Sequence, residues 1–284
     1  MIEGPSTVRL ELDSRPESPA LVRAALTGVA EQLEFDPELC HDLRIAVSEA
    51  CNNVVLHAYD GVTGPLVVGL EIQSASIEVM VRDYGGGIQQ VGPSEDRMGV
   101  GLAVMSALAD RAEFISAPDG GAEVRMAFTS RGAATGPLEH AVAAVPADDT
   151  GVRLSGDVIG TMTPVDLLGG VLGRIARVVA ARAHFSLDRL SDLCLVTDAI
   201  ASFAKAAASG AGISFAILAS DRRLELVVGP VRAGCGAWLH QDGLFNEPGS
   251  PLSLLAGELV LEPVNGLEVL RVVVEDRRDP PAPG

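Results

Sequence analysis

Lysine is almost missing from this sequence: Lys205 is the only one among 284 residues. A Walker A loop needs G-x-x-x-x-G-K-[ST], with its lysine on the phosphates, so that route to a nucleotide is closed. The strand lysine of ordinary protein kinases is equally absent from the first half. Any nucleotide would have to be held by backbone amides, arginine and metal. Cysteine is sparse as well. Cys40, Cys51, Cys194 and Cys235 show no C-x-x-C spacing, which argues against zinc or a disulfide framework and for reduced core thiols in a cytoplasmic protein. No apolar run reaches the ~18 residues that cross a bilayer, so no membrane segment is expected. The opening MIEGPSTVRLELDSRPESP lacks the basic start and apolar core of an export signal. Positive charge is short throughout, with 21 Lys and Arg against 38 Asp and Glu and a net of −17. Residues 1–130 carry 8 against 20, the remainder 13 against 18. Such a chain is not a direct nucleic-acid binder.

What is present is enough for a core. Hydrophobic residues make up 48%, and the length allows one large domain or two ordinary ones. The first half reads as a strand near 7–13, helices over 19–33 and 36–58, and strands near 66–73 and 76–83. A glycine-rich loop, a helix over 101–110 and strands near 111–117 and 121–129 complete it. VRLELD, LVVGLEI, IEVMVRD and EVRMAF alternate as strands with one covered face do, and Pro19 suits a helix start. RGAATGPLEHAVAAVPADDT loses periodicity and reads as a linker over 131–150. Beyond it the pattern returns. FDPELCHDLRIAVSEACNN (35–53) aligns without gaps on FSLDRLSDLCLVTDAIASF (185–203). SFAILASDRRLELVV and NGLEVLRVVV then echo the strands of the first half. Self-similarity of this length predicts two domains of one fold, over 1–130 and 151–284.

Three stretches carry chemistry. In EACNNVVLHAY, Glu49 and Asn53 fall four apart, placing a carboxylate and a carboxamide one turn apart on one helical face. Val54, Val55 and Leu56 after them read as buried, and a polar group buried without a partner costs roughly 1–3 kcal/mol. Taken alone, the pair is also what a surface Glu and a capping Asn would leave. VRDYGGGI sets Asp83 at a strand end before Gly85 and Gly87; alone it is also a turn. RMGVGLAVMSALAD puts Gly99 and Gly101 ahead of a helix, where free amides favour an anion, or where a loop simply feeds an amphipathic helix.

In this order and spacing the three stretches resemble the N, G1 and G2 boxes of the GHKL (histidine-kinase-like) ATPase superfamily. DLRIAVSEACNNVVLHAY with the short loop to Gly99 is similar to the anti-sigma-factor serine/threonine kinases. The resemblance covers about 7–130 strongly and 150–276 only as a degenerate copy. It implies two tandem α/β sandwiches, each with a mixed, mostly antiparallel sheet and helices on one face. It implies ATP and Mg²⁺ as cofactors, with Asn53 holding the metal and Glu49 as catalytic base. Asp83 would accept from the adenine amino group, and Gly85 and Gly87 would let the backbone approach the purine. Gly99, Val100, Gly101 and Leu102 would offer amides to the phosphates, with Arg97 supplying charge. Asn52 either lines the site or caps backbone, and His57 is read as a packing and hydrogen-bonding residue. Ala122 and Ala127 stand where relatives often place a threonine near the adenine, with Thr129 close by.

The resemblance further implies a kinase that phosphorylates an antagonist of the STAS type and sequesters a sigma factor. A nucleotide-gated binding module without phosphotransfer fits the same motifs. A histidine-kinase catalytic domain is disfavoured, because the motif domain starts within about ten residues of Met1. By the ungapped alignment Glu49 falls on Ala199 and Asn53 on Phe203, so the second domain is expected to lack nucleotide. A homodimer and an internal pseudo-dimer both remain open.

Overall fold

The computed structural model describes residues 5–73, 76–86, 96–117, 120–129, 151–236 and 251–276. The expected linker over 131–150 and Gly87 lie outside the described residues.

Alternating apolar residues build the strands β1 (Ser6–Asp13), β2 (Pro65–Ile72), β3 (Ser76–Asp83), β4 (Arg111–Ser116) and β5 (Ala122–Thr129). Three helices accompany them: α1 (Ser18–Gln32), α2 (Pro37–His57) and α3 (Asp96–Leu108). The remaining elements are β6 (Val158–Thr163), α4 (Leu167–Arg182), α5 (Leu187–Ala207), β7 (Ile213–Ser220), β8 (Arg223–Val231), α6 (Pro251–Leu255), β9 (Glu258–Val264) and β10 (Leu267–Glu275). The named elements of both halves therefore follow the same order: strand, helix, helix, strand, strand, helix, strand, strand.

The long helices α2 and α5 open and close at positions 150 residues apart, which is the offset of the ungapped alignment. Their N-caps share that spacing. The Asp36 carboxylate accepts from the amides of Glu38 (2.9 Å) and Leu39 (3.3 Å). The Ser186 hydroxyl accepts from the Arg189 amide at 3.4 Å. Each cap satisfies amides that a helix start leaves open.

The ten strands of the described residues form one sheet, in the order β4-β5-β3-β2-β1-β6-β7-β8-β10-β9. Every neighbouring pair is antiparallel. The two halves share this continuous sheet. The joint is β1 against β6, in register from Thr7↔Thr163 to Leu12↔Val158. Each would otherwise be the edge strand of its own half, with a row of unpaired backbone groups.

One face of the sheet carries the core. Val8, Leu10 and Leu12 of β1, Ile77, Val79 and Val81 of β3, and Leu224, Leu226 and Val228 of β8 are buried at every second position. Against them lie Leu26, Val47 and Met105 of the first half and Ile175, Val196 and Phe203 of the second. The helices thus cover one face, as expected. One boundary and the burial of one short run differ from expectation. α3 begins at Asp96, so Gly99 and Gly101 lie inside its first two turns. Asp96, Arg97 and Met98 tolerate helix, and a glycine costs only ~1 kcal/mol there. Of the run after Asn53, Val54 is buried, but Val55 is only half-buried and Leu56 is 68% exposed.

Candidate functional site

α2 supplies the first part of the site. Ala46, Val47, Ala50, Cys51 and Val54 bury its inner side, and this leaves Glu49, Asn52 and Asn53 half-buried along the margin. None of the three side chains has a hydrogen-bond partner among the described residues. α3 then brings Gly101 over the pair. A Cβ built at Gly101 would stand 3.3 Å from Asn53 Oδ1, 3.4 Å from its Nδ2 and 3.5 Å from Glu49 Oε2. The carboxylate and the carboxamide thus converge on one backbone position, where a side chain would narrow the space between the helices.

β3 supplies the second part. Asp83 continues the buried series Ile77, Val79, Val81 on the helix side, as its only charged member, and is 4% exposed. Its Oδ1 accepts from the amides of Gly85 (2.9 Å) and Ala122 (3.2 Å). Two bonds on one oxygen fix the carboxylate's rotation. Oδ2 has no hydrogen-bond partner among the described residues, so it is the oxygen able to accept from a ligand.

Several backbone contacts hold this corner. Gly85 lies on the C-terminal end of α2, and the Gly86 amide donates to the Ala58 carbonyl at 3.0 Å. Gly121, at φ +84°, passes so close to Asp83 that a Cβ would meet the Asp83 carbonyl oxygen at 2.2 Å. Tyr59 ties the corner to the sheet. Its hydroxyl donates to the Pro65 carbonyl (2.5 Å) and accepts from the Tyr84 amide (2.8 Å). Burial pushes that phenol up, and the Tyr84 amide partly offsets it. The Arg82 guanidinium stands 4.8 Å from the centre of the Tyr84 ring, a cation–π contact.

The residues expected at the site are thus distributed unevenly. Glu49, Asn53 and Gly101 come together, and Asp83 meets Gly85. Arg97 and Gly99 belong to α3 by backbone, but the Arg97 side chain lies outside the described residues. Val100 is 63% exposed, while Leu102 packs against the core. Because the helix starts at Asp96, only its first four amides, 96–99, lack intrahelical acceptors. The amides of Val100, Gly101 and Leu102 belong to the helix body.

Thr129 is corrected outright. β3 and β5 pair from Ser76↔Thr129 to Arg82↔Glu123, so Thr129 sits at the end of the sheet away from Asp83. There its amide (2.7 Å) and hydroxyl (2.8 Å) bond the Asp110 carboxylate. His57, read as a packing residue, is exposed in the last turn of α2. Tyr59, Gly121 and the Ala122 amide were not singled out beforehand as parts of this corner. Only the Gly120–Gly121 pair before a strand hints at it.

No group of three or more His, Cys, Asp or Glu among the described residues could hold a metal ion. All four cysteines are free, with Cys51 and Cys235 buried. No helix among the described residues is long and apolar enough to cross a membrane.

Residues 12–128 match the family of the histidine kinase-like ATPase domain. Among curated relatives, the serine-protein kinase RsbW of Bacillus pumilus (strain SAFR-032) is 33% identical over 130 residues. That match covers 40% of this chain and 80% of the relative. This chain belongs to the histidine kinase-like ATPases of the RsbW type. The serine-protein kinase RsbW of Oceanobacillus iheyensis is 38% identical over 79 residues, covering 28% of this chain and 50% of the relative. That of Bacillus mycoides (strain KBAB4) is 32% identical over 85 residues, covering 30% and 53%. The family match ends at 128, before β6, so the RsbW-type part of the chain is the half that holds Glu49, Asn53 and Asp83.

Proposed function

We propose that this chain is a cytoplasmic, ATP- and Mg²⁺-dependent serine/threonine protein kinase of the anti-sigma-factor type. It phosphorylates an antagonist of the STAS type and sequesters a sigma factor. One observation carries the reading: the Glu49 carboxylate and Asn53 carboxamide, without hydrogen-bond partners among the described residues, converge on Gly101. Relatives named serine-protein kinase support it.

The residues fit both cofactors. Asn53 Oδ1 is a neutral oxygen donor of the kind Mg²⁺ accepts, and that ion commonly takes only one or two protein ligands beside phosphates and water. Asp83 Oδ2 is held ready to accept from an exocyclic amino group, while Gly85 and Gly121 keep the backbone bare around it. ATP supplies a γ-phosphoryl group whose transfer to a serine or threonine hydroxyl leaves ADP. Glu49 takes the proton from that hydroxyl as its oxygen forms the new bond to phosphorus. Asn53 would hold the metal, which would offset phosphate charge.

The test is transfer. The purified chain, Mg-ATP labelled at the γ-position and a STAS-type antagonist are incubated together, and label on the antagonist's serine or threonine is read by mass spectrometry. Nucleotide binding without label on any antagonist would leave the gated binding module instead. No heat and no thermal stabilisation at millimolar Mg-ATP would defeat both.

A further inference from the structure

We infer that residues 151–276 are a built-in partner subunit: a nucleotide-free copy of the first half, fixed to the β1 edge in place of a second chain. The protein is then a monomer with one nucleotide site. The seam part of this inference stands on geometry alone, and the one-site part rests on the nucleotide reading above.

The seam is built like a tight interface. Beside the β1–β6 ladder, α1 crosses α4 at Gly28 and Gly170, where a Cβ at 28 would lie 2.2 Å from the Gly170 carbonyl oxygen. Ion pairs flank the crossing on both sides, Glu31 with Arg174 and Glu17 with Arg182 at 3.3 Å. Arg15 reaches Asp157 at 3.9 Å. The two halves are arranged about the seam in the manner of a two-fold dimer. β1 mirrors β6 and α1 mirrors α4, and the sheet order reads alike outward from the joint. An isologous interface has this form. With β1 and β6 each paired on both sides, neither offers an edge to another chain.

Among the described residues, the second half has lost the counterparts of Glu49, Asn53 and Asp83. At the spacing shared by α2 and α5, Ala199 replaces Glu49 and Phe203 replaces Asn53. Phe203 is fully buried, so an aromatic ring takes the place of a metal ligand. The nearby Asp198 and Ser202 face outward, the Ser202 hydroxyl donating to its own helix at the Asp198 carbonyl (2.9 Å). Along β8, the position that follows Leu224, Leu226 and Val228 on the helix side is Pro230, which has no group to select a base. The glycine amides beyond are already taken. Those of Gly234 and Gly236 donate to the Glu268 carboxylate at 2.9 and 3.2 Å. An internal carboxylate thus occupies backbone donors at the counterpart of the Gly85 corner.

The test uses the full chain with Arg9→Cys and Thr161→Cys. These residues face each other across the seam. Opposed antiparallel residues have Cα atoms roughly 4.5–5.5 Å apart, within disulfide range. Each single variant serves as control. Oxidation should close the bridge within one chain, leaving a 29.4 kDa species on a non-reducing gel at every protein concentration. Covalent dimers of twice that mass, or no bridge at all, would overturn the inference. Calorimetry with Mg-ATP should give one nucleotide per chain, and two would also overturn it. Failure to bind any nucleotide counts against the kinase reading, and the cross-link then decides the seam by itself.

Discussion

Gly85 rests on the carbonyl of Ala58 so closely that a Cβ at 85 would come within 1.9 Å of that oxygen. Both contacting atoms are backbone and neither can rotate aside. Gly85→Ala must therefore lift the end of β3 from α2 and disturb the Asp83 carboxylate that bonds the same residue's amide. Overpacking of this kind costs about 1–3 kcal/mol, so thermal melting should drop by several degrees and Mg-ATP affinity should fall with it. Gly210→Ala, where nothing lies within 4 Å, is the matched control and should melt like the parent.

Glu49→Gln keeps size and burial but removes the proton acceptor. Phosphotransfer to the antagonist should fall by roughly 10²–10⁴-fold while nucleotide binding persists. Asn53→Ala should instead weaken binding in Mg²⁺ and leave binding in EDTA little changed. Rapid-quench transfer and calorimetry separate the two. Wild-type transfer rates in both variants would remove α2 from the chemistry.

Asp83→Asn can retain the two bonds from Gly85 and Ala122 on its remaining oxygen, yet it turns the ligand-facing oxygen into a donor. Stability should change little and the preference for ATP over GTP should collapse. Asp83→Ala strands two half-buried amides, so it should lose about 1 kcal/mol of stability as well. Competition binding with the two nucleotides and a denaturant titration check both halves of this expectation.

The helices and strands could be read from periodicity because each buries one side, and that pattern is local. Glu49 and Asn53 stood out for the same reason: two polar residues four apart beside a buried run need no knowledge of the fold. The partner of Asp83 did not. Its second amide comes from Ala122, on a strand 39 residues on, and strand order is not written in alternation. The early start of α3 escaped because glycine punctuates most helices yet costs too little to stop this one. The single sheet was missed since the pattern of β1 says which face is buried, not which chain or half lies at its edge.

Cys51 sits directly behind the Glu49–Asn53 margin, fully buried, and burial pushes its thiol up to about 12 from an ordinary 9.0, with Arg23 pulling slightly the other way. It should stay silent to thiol reagents in the native protein at pH 8. The linkage runs one way. Below pH 9 both folded and unfolded states hold the proton, so the site contributes no pH dependence. Between about 9 and 12 the unfolded thiol ionises first, and stability falls as pH rises. Cys51→Ala should flatten that part of the melting curve against pH.

The seam makes the sharpest stability claim, because three glycines on neighbouring turns predict opposite signs. A Cβ at Gly28 would lie 2.2 Å from the Gly170 carbonyl oxygen, and one at Gly170 would lie 2.7 Å from that of Gly28. Neither contact can relax without parting α1 from α4, and the β1–β6 ladder opposes that movement. Gly28→Ala and Gly170→Ala should each lower the melting temperature by several degrees, at about 1–3 kcal/mol. Gly169, one residue away in α4, faces only the Ala201 Cβ at 3.4 Å, an ordinary contact. Gly169→Ala should therefore gain helix propensity, up to ~1 kcal/mol, and melt at or above the parent. Scanning calorimetry on the three variants reads this directly. If Gly28→Ala rises together with Gly169→Ala, helix propensity outweighs packing, and the two halves do not meet as closely as the α1–α4 crossing requires.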